Sequence, residues 1–142
     1  MSQEFRVCVI GAGAGGLSMA RALTRHGIAY DHFERHSDVG GVWDQNNPGS
    51  PMYDSAHMIS SKSLSAFLGF PMPKSYPDYP SHRQICAYLR SFATAYDLRR
   101  KIQFGTEVTS AVKQGDDWVV TFADGTEKRY KAVVAASGLA WH

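Results

Sequence analysis

The stretch that decides the fold reads Arg6-Val-Cys-Val-Ile10, Gly11-Ala-Gly-Ala-Gly-Gly16, Leu17-Ser-Met-Ala-Arg-Ala-Leu23. Its first part is a short apolar run that predicts a β-strand, and its last part has the spacing of an amphipathic helix ending at Gly27. The GxGxxG turn between them lacks Cβ atoms, so a pyrophosphate can approach the backbone at the positive end of the helix. The segment therefore predicts a strand, a phosphate-binding turn and a helix.

A second strand, Ala29–Phe33, follows the helix and ends at the acidic residue Glu34. Glu34 stands about 20 residues beyond the glycine turn, where a carboxylate can accept a hydrogen bond from a ribose 2′-hydroxyl. Strand, turn, helix, second strand and terminal acid together favour a nucleotide-binding site. The alternative is a tight turn in an α/β domain that binds no nucleotide, in which Gly16 serves only helix–strand packing.

The composition is that of a globular chain and excludes several classes of function. The 142 residues are 44% hydrophobic and 20% charged, and a net charge of +2 is too small for a nucleic-acid-binding surface. Cys8 and Cys86 form no CxxC pair, and the six histidines lack metal-ligand spacing, so we expect no metal site. With no bilayer-spanning segment and no signal peptide, we expect no membrane partner and a cytoplasmic location.

The rest of the chain combines a long loop, one helix and a series of strands. Residues 35–80 are interrupted by glycines and prolines, and a loop of this length in a compact domain is usually functional. Ser81 begins a helix with a capping box and one apolar face. The strands that follow are predicted at 102–104, 107–113, 118–122, 127–130 and 132–135.

These elements predict an α/β, Rossmann-like domain with a parallel sheet and an antiparallel β-meander. The parallel sheet is expected from the runs Arg6–Ile10, Ala29–Phe33, Ile102–Phe104 and Ala132–Ala135. The last run is continuously apolar, as in a buried parallel strand. Residues 107–130 carry Gly115 and Asp124-Gly125 at hairpin positions, so they predict a meander that leaves the parallel sheet and returns to it.

A second informative segment follows Glu34 and contains Gly40-Gly41-Val42-Trp43. Two glycines permit close backbone approach, and the Trp43 indole can cover a flat or extended ligand. A turn closed by a core tryptophan explains the same residues equally well. A simple NAD-dependent dehydrogenase domain would instead enter its next strand–helix unit, so this segment and the meander disfavour that class.

In the order of its motifs the chain resembles the N-terminal part of the flavin-containing monooxygenases and the related Baeyer–Villiger monooxygenases. The resemblance covers essentially all 142 residues. The matching residues are Gly11–Gly16, Glu34-Arg35, Gly40–Trp43, Tyr53-Asp54-Ser55, Ser60-Ser61-Lys62, Phe67, Phe70–Pro73, Tyr79-Pro80, Tyr88-Leu89, Phe104–Val108 and Ala136-Ser137-Gly138.

The resemblance implies FAD as the bound dinucleotide, with its pyrophosphate on the glycine turn and its adenosine ribose at Glu34. The adenine would lie near the Val108 backbone, and Val42 and Trp43 would face the ribityl–flavin side. The cofactor-binding residues implied in this way are Gly11, Ala12, Gly13, Ala14, Gly15, Gly16, Glu34, Arg35, Gly41, Val42, Trp43 and Val108.

In the complete enzymes of this family, NADPH reduces FAD, and one oxygen atom from O2 is inserted into a soft nucleophile or a ketone. Those enzymes are far longer and carry a second glycine fingerprint for NADPH, which this chain lacks. We therefore expect residues 1–142 to form a single FAD-binding domain that is incomplete relative to the family. We expect this chain alone neither to oxidise NADPH nor to oxygenate a substrate.

The catalytic residues are not identified by the sequence. Ser60 and Lys62 are the nearest candidates for acid–base roles, although each is more often structural. Ile59 stands where the family often has an asparagine beside the flavin, and an isoleucine cannot donate the expected hydrogen bond.

A second hypothesis comes from another class of protein. The chain is then a non-catalytic dinucleotide-binding fragment, or one partner of a split assembly, which binds dinucleotide weakly or not at all and associates as a homo-oligomer or with a missing C-terminal part. Apolar surface that such a part would normally cover would then be exposed. Size-exclusion behaviour and bound flavin colour discriminate between the two hypotheses.

Overall fold

The computed structural model describes residues 4–139, which contain two β-sheets and three α-helices. The strands are β1 (Arg6–Ile10), β2 (Ala29–Phe33), β3 (Ile102–Gln103), β4 (Val108–Gln114), β5 (Asp117–Phe122), β6 (Glu127–Tyr130) and β7 (Ala132–Ala135). The helices are α1 (Ala14–Arg25), α2 (Lys62–Ser65) and α3 (His82–Ala95), and short 3-10 turns lie at Gly41–Trp43 and Arg99–Lys101.

The first sheet is parallel throughout, with the strand order β3-β2-β1-β7. In register, β1 Val7 lies between Tyr30 of β2 and Ala132 of β7. The predicted parallel sheet is therefore confirmed. Strand β3 is one residue shorter than predicted, because its partner β2 ends at Phe33, directly opposite Gln103.

Successive side chains of β1 and β2 point to opposite faces of this sheet, so the hydrophobic core is divided between the two faces. Val7 and Val9 of β1 pack with Tyr30 in the cluster that α1 and α3 cover. Cys8 and Phe33 point to the opposite face, where they pack against the second sheet. The parallel sheet is thus the middle layer of three, and its strand β1 is buried from both sides. The run Ala132–Ala135 was expected to be a buried strand, but as the edge strand β7 it is only partly buried.

The second sheet is the predicted antiparallel meander, with the strand order β4-β5-β6. It packs on the first sheet through the ring of Phe122, whose centroid lies 4.7 Å from that of Phe33 in an edge-to-face arrangement. The Tyr130 hydroxyl donates to Asp31 Oδ2 at 2.7 Å, which joins the end of the meander to β2. The Thr106 N–H donates to the Glu34 carbonyl at 3.0 Å, which holds the segment before β4 beside the carboxyl end of β2.

Helix α3 begins with the predicted capping box and orders the long loop. Ser81 Oγ accepts from the Gln84 N–H at 3.2 Å, and Gln84 Oε1 accepts from the Ser81 N–H at 2.9 Å. On the apolar face of α3, the ring of Phe92 packs against two rings of the loop. Its centroid lies 4.3 Å from that of Phe67 and 5.5 Å from that of Phe70. Residues 35–80 are therefore held by aromatic contacts, although they contain little regular structure.

Within residues 4–139, no helix is long and apolar enough to cross a membrane. In the same part of the chain, no group of three or more histidine, cysteine, aspartate or glutamate side chains is placed to hold a metal ion.

Candidate functional site

The candidate site is built on the glycine turn that leaves β1. Gly11 has a φ of +101°, and a Cβ at this position would lie 2.4 Å from the Ala136 carbonyl oxygen, so only glycine fits. The Gly11 N–H donates to the Phe33 carbonyl at 2.8 Å, and the Ala136 N–H donates to the Ile10 carbonyl at 2.9 Å. The turn is thus fixed between the carboxyl ends of β2 and β7.

The other glycines of the turn have different surroundings. A Cβ on Gly16 would lie 1.8 Å from the Gly11 carbonyl oxygen, so this glycine lets α1 pack directly on the turn. A Cβ on Gly15 would meet only the Ala136 side chain at 3.7 Å, and one on Gly13 would lie 3.4 Å from the Gly41 Cα. Gly16 therefore serves close packing against Gly11, Gly13 adjoins the Gly41 backbone, and Gly15 leaves backbone bare on the outer side.

The N-terminus of α1 carries no side chain that competes for its N–H groups. Gly13 is the N-cap residue and provides no capping side chain, and the first turn of the helix has no acidic residue. Free N–H groups and the positive end of a helix dipole attract an anion. Because Gly16 packs against the Gly11 backbone and Leu17 is buried, this end of the helix is held against the turn.

A cavity of about 620 Å³ lies over the turn, at the carboxyl ends of β1, β2 and β7. Its size is typical of small-molecule sites, and ligands of open α/β sheets bind at this end of the strands. Of the predicted cofactor-binding residues, Gly16 does not line it. Those that do are Gly11, Ala12, Gly13, Ala14, Gly15, Glu34, Arg35, Gly41, Val42, Trp43 and Val108.

One wall of this cavity consists of residues that belong to the quoted motifs but were not predicted to bind the cofactor. Ala136, Ser137 and Gly138 follow β7 and line the cavity, as do Thr106 and Glu107 before β4. The first group could have been found, because β7 was predicted to be parallel to β1. Its carboxyl end must then open at the same edge of the sheet as the glycine turn.

Glu34 lies at the centre of the backbone contacts around the site. It is 6% exposed, and its Oε1 accepts from the Ala12 N–H at 2.8 Å while Oε2 accepts from the His36 N–H at 2.7 Å. A carboxylate has about four lone-pair sites, so two bonds leave capacity for a ribose hydroxyl. The same side chain therefore ties the glycine turn to the following loop and lines the cavity.

The second glycine pair packs on the first turn. A Cβ on Gly41 would lie 2.9 Å from the Gly13 Cα, and the Gly40 N–H donates to the Ala12 carbonyl at 3.1 Å. Gly40 and Gly41 both have positive φ values, +129° and +57°. The sequence predicted a close backbone approach at Gly40-Gly41, and the structure shows that this approach is to the first glycine turn. As a result, Trp43 lies in the cavity wall.

A network of charged side chains holds this loop to α3. Arg90 contacts Asp38 Oδ2 at 3.2 Å and Asp44 Oδ2 at 2.9 Å, and Arg99 pairs with Asp38. Burial alone would raise the pKa of Asp38, but the hydrogen bonds from Arg99 and the Val39 N–H outweigh burial, and the pKa is lowered. The carboxylate is therefore ionised at neutral pH and anchors residues 38–44 beside the cavity.

The nearest acid–base candidates lie outside the cavity. Lys62 donates from Nζ to the carbonyl of Lys74 at 3.1 Å and to that of Tyr76, and Ser60 Oγ lies 2.6 Å from Ser65 Oγ. These contacts are structural ties within the loop. Ile59, where the family often has asparagine, is 94% exposed.

The bare glycine cradle, the acid that ends β2 and the cavity across the strand ends define a Rossmann-like dinucleotide-binding fold. Residues 4–140 match the family described as FMO-like, flavin-binding monooxygenase-like. The chain belongs to this family, whose cofactors are FAD and NADPH.

Individual relatives show how much of a family protein is present. The thiol-specific monooxygenase of Saccharomyces cerevisiae is 35% identical, over 97% of this chain and 34% of the yeast protein. The structure of S-allyl-L-cysteine S-oxygenase from Allium sativum matches with a TM-score of 0.82 and 29% identity, over 96% of this chain and 37% of the plant protein. The open crystal structure of cyclohexanone monooxygenase matches with a TM-score of 0.78 and 32% identity, over 97% and 27%. The chain thus spans about a third of these proteins or less.

Proposed function

We propose that this chain is the FAD-binding portion of an NADPH-dependent flavoprotein monooxygenase, which inserts one oxygen atom from O2 into a soft nucleophile or a ketone. The observation that carries the proposal is the cavity over Gly13 and Gly15, where two positions without side chains adjoin the uncapped N-terminus of α1. A diphosphate suits such a cradle because it needs close backbone N–H groups and no Cβ in the way. Support for the two substrate classes comes from the names of the relatives: a thiol-specific monooxygenase, an S-oxygenase and a cyclohexanone monooxygenase.

The residues of this chain would bind and orient the cofactor. The first turn of α1 would hold the pyrophosphate, Glu34 the adenosine ribose, and the backbone at Val108 the adenine. Val42 and Trp43 would form the wall on the ribityl–flavin side and keep water from it. FAD, when bound, supplies the hydride acceptance and oxygen chemistry, whereas the protein supplies binding and orientation.

A second candidate function is a non-catalytic fragment or one partner of a split assembly. Three large apolar side chains of the 53–79 region stand in solvent in the described part of the chain: Ile59 is 94% exposed, Leu64 87% and Leu68 102%. Apolar groups exposed together favour association with another polypeptide. In either case we propose a cytoplasmic protein that binds neither nucleic acid nor membrane and associates as a homo-oligomer or with a C-terminal part, whereas firm dinucleotide binding belongs to the first function only.

A Gly13→Val substitution tests the phosphate cradle. The φ of −81° suits any residue, and a Cβ at Gly13 would have the Gly41 Cα as its nearest protein atom, at 3.4 Å, so folding of the variant is checked before its affinity is measured. Its side chain would enter the space of the pyrophosphate, and we expect the dissociation constant for FAD to rise by at least about tenfold. This corresponds to roughly 1.4 kcal/mol, measured by fluorescence titration.

The matched control is Ser18→Val, which adds the same side chain on the exposed face of α1, away from the cavity. It should leave FAD affinity unchanged. Unaltered affinity in folded Gly13→Val would place the pyrophosphate elsewhere.

The activity of the purified chain is a separate test. The sequence holds one GxGxxG fingerprint, and hydride transfer without a nicotinamide site loses positioning worth roughly 7–11 kcal/mol. With FAD, NADPH and a thioether supplied, we expect no coupled sulfoxide formation. Consumption of one NADPH per sulfoxide formed would contradict this expectation and would show that an assembly of this chain completes the site.

A further inference from the structure

His32 lies beneath the glycine turn and has no part in the proposed function. It is 1% exposed, and its Nε2 lies 2.6 Å from the Gly11 carbonyl oxygen. A Cβ on Gly16 would lie 3.2 Å from the same nitrogen. The imidazole therefore fills the space between β2, the turn and the first turns of α1.

The contact fixes the tautomer of the ring. The Gly11 carbonyl can only accept, so Nε2 must carry the hydrogen. Nδ1 is buried and has no hydrogen-bond partner among the described residues. Burial lowers the pKa of His32 and outweighs the bond to Gly11 and the charge of Glu34, which raise it. The ring is therefore neutral at neutral pH, with its hydrogen on Nε2.

Three consecutive residues at the end of β2 engage the turn. The His32 ring donates to the Gly11 carbonyl, the Phe33 carbonyl accepts from the Gly11 N–H at 2.8 Å, and Glu34 Oε1 accepts from the Ala12 N–H at 2.8 Å. Both backbone polar groups of Gly11 are thus held. Glycine has access to much of φ/ψ space, so a carbonyl that no donor held would leave this peptide free to reorient.

We propose that His32 is a positioning residue for the dinucleotide site, because its Nε2–H holds the Gly11 carbonyl and so keeps the turn in the conformation that receives a pyrophosphate. The role rests on the proposed function, since the orientation of the turn matters to a ligand bound there. A space-filling role alone would be met by any apolar side chain of similar size.

Two substitutions distinguish the role of His32 as a hydrogen-bond donor from its role in filling space. His32→Leu removes the donor and the unpartnered Nδ1 but keeps an apolar side chain in the space. We expect its dissociation constant for FAD to rise about fivefold, in the range of one lost neutral hydrogen bond. Unfolding free energy should change little, because removal of the unpartnered Nδ1 offsets the lost bond to Gly11. His32→Gln carries a side-chain amide N–H that can reach the same carbonyl, and we expect it to restore affinity to within about twofold.

The experiment is an FAD titration of the full chain and its variants, with unfolding free energy and the ¹⁵N NMR shifts of the His32 ring measured alongside. His57→Leu, on an exposed histidine outside the cavity, is the matched control and should bind as the wild type does. The NMR spectrum of the free chain should show a neutral ring protonated at Nε2, and this reading holds even if His32→Leu does not fold.

Each other outcome overturns a stated part of the proposal. Equal FAD affinity in wild type and folded His32→Leu, or equal weakening in Leu and Gln variants, overturns the positioning role alone. An Nδ1–H tautomer overturns the hydrogen bond to Gly11. A wild-type chain that binds no FAD overturns the proposed function and this role together.

Discussion

A Gly16→Ala substitution is expected to lower the free energy of unfolding by about 3 kcal/mol or more, at the upper end of overpacking costs. The new Cβ would lie 1.8 Å from the Gly11 carbonyl oxygen and 2.7 Å from its carbonyl carbon. These are backbone atoms whose residue is hydrogen-bonded to β2, so they cannot turn aside as a side chain would. Helix α1 must therefore move away from the glycine turn, which also disrupts the cavity.

Chemical denaturation measures the unfolding free energy of the Gly16→Ala variant, and the neighbouring substitution Gly15→Ala is its control. Its Cβ would meet only the Ala136 Cβ at 3.7 Å, an ordinary contact, and alanine is favoured over glycine inside a helix by up to about 1 kcal/mol. We expect Gly15→Ala to fold at least as stably as the wild type. Equal destabilisation of the two variants would contradict the packing role assigned to Gly16.

A Glu34→Ala substitution is expected to weaken FAD binding by about 1.5–3 kcal/mol, the usual value of a hydrogen bond to a charged group. It removes the proposed acceptor for the ribose hydroxyl and leaves the N–H groups of Ala12 and His36 without their acceptor. Because Glu34 is buried, water replaces the carboxylate poorly, and we expect unfolding free energy to fall by about 2 kcal/mol as well.

Glu34→Gln distinguishes these two contributions in the same titration and denaturation series. Its amide oxygen can still accept one backbone N–H, whereas its NH2 group cannot accept any. We expect an intermediate loss of stability and of FAD affinity. If Glu34→Ala bound FAD as tightly as the wild type, the assignment of the ribose site would be wrong.

Much of the fold could be predicted from the sequence because its signals are local. The apolar runs of β1 and β7, the glycines of the first turn and the capping residue Ser81 each act within a few neighbouring residues. Parallel pairing of β1 with β2 then follows from the short helix between them. Small errors fell at strand ends such as Gln103, where the length of the partner strand decides the boundary.

The rest of the site depends on residues that are distant in the sequence. Asp38 and Asp44 are held by Arg90, which is on α3, and no local pattern marks that pairing. The division of the glycine turn into packing and cavity-lining positions depends on where the Gly11 carbonyl and Gly41 lie. In the sequence, His32 is only a polar residue within a predicted strand. Its positioning role is inferred from its contact with the Gly11 carbonyl, which the sequence does not show.

Whether the cavity over the glycine turn binds FAD is decided by an equilibrium titration of the purified chain with FAD. Flavin fluorescence and the visible absorbance spectrum report the bound fraction, and ligand-free protein gives the reference. We expect saturable binding of one FAD per chain, weakened by Gly13→Val and Glu34→Ala and unaffected by Ser18→Val. Absence of saturable binding, or binding of equal strength in the wild type and folded Gly13→Val, would contradict it.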